Sequence, residues 1–252
     1  MTTGGDVAGS APEDGTDLGA VVLRPVRGQH AFEACVEQLG TAIRLGVYPR
    51  DTVLPAEREL AERMGVSRAT LREAIAALRT AGVVETKRGR GGGTVVRLRP
   101  TVPRRGAPAQ VAARRSAWLD VLDFRRIVEP GAAELAASRD LTQTQRQRLV
   151  QAHEAVAAAS APAAHRQADS RFHLTIAAIT GSPSVVEAVT SVQAGVHEML
   201  SAIPVLGTNI DHSDAQHAGI CAAVLDGEGS RARRLMEAHC DDTAALLRGL
   251  LF

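Results

Sequence analysis

The sequence predicts a mainly α protein in two parts: two short helices and a small β-hairpin near the N-terminus, then an all-α bundle. Three observations carry this. Leu54 to Arg79, LPAERELAERMGVSRATLREAIAALR, has a helical apolar period broken once by glycine. Directly after it, VVET, KRGRGGG and TVVRLR read as strand, glycine-rich turn and strand. From Ser116 onward only helix patterns occur.

The first 23 residues hold four acids and no base, and Met1 to about Ala20 is Gly, Ala, Asp and Thr without a period, so 1–23 reads as a disordered tail. Residues 24–98 read as the first domain. Gln29 to Leu45 is a helix with Phe32, Val36, Leu39 and Ile43 on one face. Ala56 to Met64 is a second, apolar at Leu60, Ala61 and Met64, and Gly65 ends it as a left-handed C-cap would. Ser67 is the N-cap candidate for the third, whose stripe is Leu71, Ala74, Ile75 and Leu78. Arg68, Thr70 and Arg72 lie off that stripe near its N-terminus. In a helix-turn-helix this end enters the major groove, where an arginine fork grips guanine or a phosphate. A solvated basic face on an ordinary helical hairpin is the rival reading. The hairpin that follows favours a wing: Lys87, Arg88 and Arg90 supply charge, while Gly89 and Gly91 to Gly93 allow close backbone approach.

Arg99 to Arg115, with three prolines and five arginines, reads as a linker. Residues 116–252 then hold six or seven helices: one to about Ser138 with Pro130 free to kink or split it, one capped at Leu141-Thr142, one after Pro162, one from Ser184, one from about Ile210, and the last from Ser230.

Net charge is only +1, yet Arg24 to Arg105 holds 16 bases against 8 acids, and Gly106 to Phe252 holds 13 against 16. A basic module is joined to a mildly acidic one, as suits a nucleic-acid partner for the first. Three cysteines without a CxxC fit a reduced, cytoplasmic setting. No stretch approaches the roughly 18 apolar residues that span a bilayer, and no signal-peptide pattern opens the chain.

Asp169 and His173 stand four apart on one helix, one turn of about 5.4 Å, so both project from one face. His217 and His239 lie on the two last helices. Should those helices meet, one carboxylate and three imidazoles converge, a set that suits a divalent ion such as Zn²⁺, Ni²⁺ or Mn²⁺. The rival reading of the Asp169/His173 pair is a helix-surface hydrogen bond, and His217 and His239 taken singly read as surface or satisfied core residues. His30, His153, His165 and His212 read as surface residues, Arg63 and Arg79 likewise, and His197 as a lesser candidate for the same cavity.

Leu54–Ala61, Gly65–Arg68, Leu71–Ala74 and Arg88–Thr94 together resemble the GntR-type winged helix-turn-helix. That resemblance implies that Arg58, Arg68 and Arg72 meet DNA, with Ser67, Thr70 and Gly89 close by; Arg88 joins them as a charge of the wing. LDFRRIVEPGAAELAA, ADSRFHLTIA, DAQHAGICAAV and RRLMEAHC resemble the FadR-type ligand domain, FCD. In that family an Asp-x-x-x-His pair and one histidine from each of the last two helices hold a divalent metal. Carried onto this chain, these are Asp169, His173, His217 and His239. Arg125 stands at the family's first-helix arginine and would pair with an effector carboxylate; Arg126 is the register alternative.

The resulting expectation is a homodimeric transcription regulator on a palindromic double-stranded operator, governed by a small organic acid at the metal. An alternative is a regulator for which the ion itself is the signal. A metallohydrolase is disfavoured, since neither HExxH nor a nucleophile elbow occurs. Effector, operator and the sense of control, repressor or activator, are not legible.

Overall fold

The computed structural model describes residues 17–26, 31–87, 93–97, 108–203 and 207–251. Among these are ten helices and one two-stranded antiparallel sheet. The expected mainly helical fold is observed.

The N-terminal part comprises α1 (Leu18–Val22), α2 (Ala31–Arg44), α3 (Glu57–Met64), α4 (Arg68–Thr80), β1 (Val84–Lys87) and β2 (Gly93–Val96). Gly65 ends α3 at φ 62°, its N–H reaching the Ala61 and Glu62 carbonyls. This left-handed residue turns the chain between the two helices at no Cβ cost. Ser67 caps α4, its Oγ accepting from the Thr70 N–H at 3.0 Å. The strands pair from Val84↔Val96 to Lys87↔Gly93, and Val53 bridges Val95 beyond them.

The bundle comprises α5 (Pro108–Ala137), α6 (Gln143–Ala157), α7 (Pro162–Ile179), α8 (Pro183–Ala202), α9 (Gly207–Leu225) and α10 (Gly229–Leu251). α10 runs along α5 and α9, α6 lies on α7, and α8 lies on α5 and α7. Thr142 and Gln145 form a reciprocal capping box that starts α6. α5 continues through Pro130 as one helix; the buried proline removes one backbone bond, and packing on both sides keeps the element whole.

Three expectations require correction. Residues 17–23 do not belong to a disordered tail. α1 is too short to display a helical period, but its Val22 and the following Leu23 are buried, and Asp17 caps it. Residues 108–115 are not linker, because Pro108 occupies the first position of α5, where its missing N–H costs nothing. Arg114 pairs there with Glu198 of α8. Finally, Arg63 is not free surface: it is half-buried and bridges Asp17, at 2.8 Å, and Glu59.

One apolar core crosses from the winged part to the bundle. Leu39 and Ile43 of α2 and Leu71 and Leu78 of α4 share it with Leu174 and Ala177 of α7 and Val186 and Val189 of α8. A second core lies among α5, α6, α7, α9 and α10, around Phe172, Ile176, Ile220 and Met236. A third joins Trp118 and Leu122 to α8 and α10. Cys35, Cys221 and Cys240 are free thiols buried in these cores.

Candidate nucleic-acid interface and metal centre

The helix-turn-helix places Arg58, Ser67, Arg68 and Arg72 on the exposed side of α3 and α4, with Thr70 half-buried. Arg72 Nε donates to Glu57 Oε2 at 2.7 Å, which ties the two helices and fixes the stem of the guanidinium. Arg58 pairs with Glu62 at 3.3 Å on α3. Arg68 has no ion-pair partner among the described residues. It is an uncommitted cation at the end of α4 that a major groove would admit. Arg88 and Gly89, expected at the wing tip, lie outside the described residues.

In the bundle, α7 brings Asp169 and His173 to one face, and His217 of α9 and His239 of α10 meet them. One ligand atom from each lies within 4.8 Å of all the others, and all four residues are buried. The imidazole centroids stand 4.6 to 5.5 Å apart. His217 Nε2 is 3.3 Å from Asp169 Oδ1. Burial drives the His217 imidazole down to about 3 despite Asp169, and holds His239 well below its ordinary value, so both are neutral near pH 7. Neutral imidazole is the form that ligates a metal.

Neither ring nitrogen of His217, nor Nε2 of His173, has a hydrogen-bond partner. Buried nitrogens are rarely left so. The donor set therefore fits a borderline divalent ion: a carboxylate and three imidazoles, of which His173 and His217 have ring nitrogens that no hydrogen bond occupies.

Behind the rings sits a polar cluster that the spacing of the sequence does not advertise. Glu129 of α5 is buried, with Oε2 2.9 Å from Arg125 Nε and 3.0 Å from His173 Nδ1. Gln193 of α8 donates to its other oxygen at 2.6 Å. Burial opposes its charge, but Arg125 beside it and His173 hold the carboxyl far below the usual range. Gln216 Oε1 stands 3.1 Å from His239 Nδ1 and fixes that ring.

Arg125 is fully buried and Arg126 is exposed, pairing with Asp241 at 2.6 Å and Glu237 at 2.7 Å. Arg125 thus faces the cluster, with Nη2 3.1 Å from His239 Nε2. His165 is not a surface residue: it is buried, 3.0 Å from Asp214. Next to the four residues opens a cavity of about 70 Å³, partly continuous with solvent. Arg125, His165, Arg166, Asp169 and His239 line it together with apolar side chains that include Val196, Leu200 and Leu246. His197 is half-buried near Arg166 but is not among the lining residues.

Residues 32–96 match the family described as bacterial regulatory proteins, gntR family, and residues 120–242 match the FCD domain. The chain is 33% identical to RmpR of Mycobacterium gastri over 211 residues, 82% of this chain and 76% of that one. It belongs to the GntR family and carries an FCD domain. This GntR regulator is also 31% identical, over 74% of both chains, to an Escherichia coli protein assigned to control of the L-lactate dehydrogenase operon. Its fold resembles that of McbR/YncC of Escherichia coli, at 16% identity and TM-score 0.50, covering 88% of this chain and 99% of that one. The gntR match and the two curated relatives are regulators, so the GntR chain is a DNA-binding transcription regulator with an FCD effector domain, not an enzyme. No helix among its described residues is long and apolar enough to cross a membrane.

Proposed function

We propose that this GntR regulator binds a palindromic operator as a homodimer and that its operator affinity is set by a small organic acid at a divalent metal in the FCD domain. The carrying observation is the set of four buried residues that offer ligand atoms within 4.8 Å of one another, with ring nitrogens of His173 and His217 that no hydrogen bond occupies. Asp169, His173, His217 and His239 would hold the ion, which supplies Lewis-acid attraction for a carboxylate oxygen. Arg125 provides the fixed cation beside it, with one buried N–H group still unpaired. L-lactate, in the description of one relative, is an acid of this kind.

At the other end Arg68 and Arg72 read base edges, Ser67 and Thr70 shape the start of the recognition helix, and Arg58, Arg88 and Gly89 meet backbone. Coupling of about 1–3 kcal/mol between the two sites would change operator affinity roughly 5- to 150-fold.

Metal analysis by plasma emission on the purified protein and on Asp169→Ala/His217→Ala tests the centre. The expected result is about one ion per chain, lost in the variant; no ion in the native protein would sink it. Gel-shift titration of Arg68→Ala tests the interface. Operator binding should vanish while the helical circular dichroism is retained, and native affinity in the variant would refute the docking.

The ion itself as signal remains a second reading, favoured by one contact. Arg125 Nη2 and a ligated ion would compete for the same His239 Nε2 lone pair, so ion binding alone would rearrange the buried cluster. An ion retained through chelation would argue against it.

A further inference from the structure

Arg166 is unexplained by the site described above. It lies on α7 three residues before Asp169, a rise of about 4.5 Å along the same helix. It is only 9% exposed. It lines the cavity beside Asp169, yet no hydrogen bond or ion pair reaches its guanidinium among the described residues, and its buried Nε is orphaned. An arginine stays charged when buried, so an uncompensated one is costly. The other buried arginine that lines this cavity, Arg125, has its counter-charge in Glu129. Arg166 alone faces the cavity without one.

We propose that the effector supplies the missing anion, making it a short dicarboxylate with one carboxylate at the metal and Arg125, the other on Arg166. This rests on the reading of a metal-bound acid given above. A planar carboxylate matches the guanidinium fork. The methylenes between the two acids suit the wall of Val196, Leu200 and Leu246. The second charge also has a route to the DNA-binding half. The next residue, Gln167, reaches the carbonyls of Ile43 and Arg44 at 3.5 and 3.2 Å, where α2 ends.

Titration calorimetry on full-length, zinc-loaded protein tests this with glutarate and with butyrate, which is glutarate with one carboxylate replaced by hydrogen. Glutarate should bind at least about tenfold more tightly, equivalent to about 1.4 kcal/mol. Arg166→Gln should bring the ratio near one and leave butyrate almost unchanged. Arg166→Lys, which keeps the charge, should restore part of the preference and decides the matter if the glutamine variant melts early. Equal binding of both acids by the native protein, or a preference that survives Arg166→Gln, would overturn the dicarboxylate. Failure of both acids to bind a chain that retains its zinc would overturn the carboxylate reading itself and this inference with it.

Discussion

Glu129 neutralises Arg125 and stands against His173 and Cys240 in one buried group. Glu129→Ala should therefore do more than remove a hydrogen bond: it leaves the Arg125 charge in the core without a partner. A loss of about 3–5 kcal/mol is expected, read as a shift of the urea midpoint, and Glu129→Gln should lose less. Near-native stability of the alanine variant would mean that solvent reaches Arg125. None of this was legible in the residues, because a single acid in an Ala-rich helix has no spacing to betray it. The four metal candidates were legible for the opposite reason: an i, i+4 pair leaves a pattern, and two later histidines sit on separate helices. Choosing between Arg125 and Arg126 needed the structure, since neighbours on a helix differ by about 100° and only the surface acids Glu237 and Asp241 separate them.

α7 is the element with two duties. One face carries Asp169 and His173, and another carries Gln167 against the end of α2. The approach is tight at Gly46, which sits at φ +73°; a Cβ there would lie 2.9 Å from Gln167 Cβ. Gly46→Ala should cost at least about 1–2 kcal/mol from the left-handed backbone alone. The collision with α7 should also change operator affinity without touching either site, measurable by comparing gel-shift titrations with thermal melts. Unchanged operator affinity would remove α7 from the coupling path. Helix periods, caps and turn residues made nearly every bundle helix readable to within a few residues. α1 escaped because five residues show no period, and the start of α5 escaped because proline and arginine imitate a linker. Contacts between positions such as 46 and 167 leave no local trace at all.

For the molecule as a whole, the buried imidazoles set how stability follows pH once metal is stripped. His217 is held at about 3 and His197 at about 4, both by burial, against an ordinary 6.5. Their folded values are depressed, so below about pH 6.5 the unfolded chain takes up protons that the folded chain refuses. Stability should thus fall as pH drops from 6.5, by up to about 1.4 kcal/mol per unit for each such group. Above 6.5 these groups contribute no slope. Glu129, whose ordinary value is 4.5, adds its own loss only further down, so the window from 6.5 to 4.5 belongs to the histidines. Chelator-treated protein unfolded in urea at several pH values measures this, and a flat profile across that window would refute it. The buried thiols add a different kind of readout. Cys35 lies in the winged half, Cys221 and Cys240 in the bundle, and none is accessible in the native fold. A slow thiol reagent therefore acts as a clock on internal breathing, timed separately in each half; at Cys240, whose sulfur is 3.6 Å from Glu129 Oε2, it times the parting of the polar cluster beneath the metal residues.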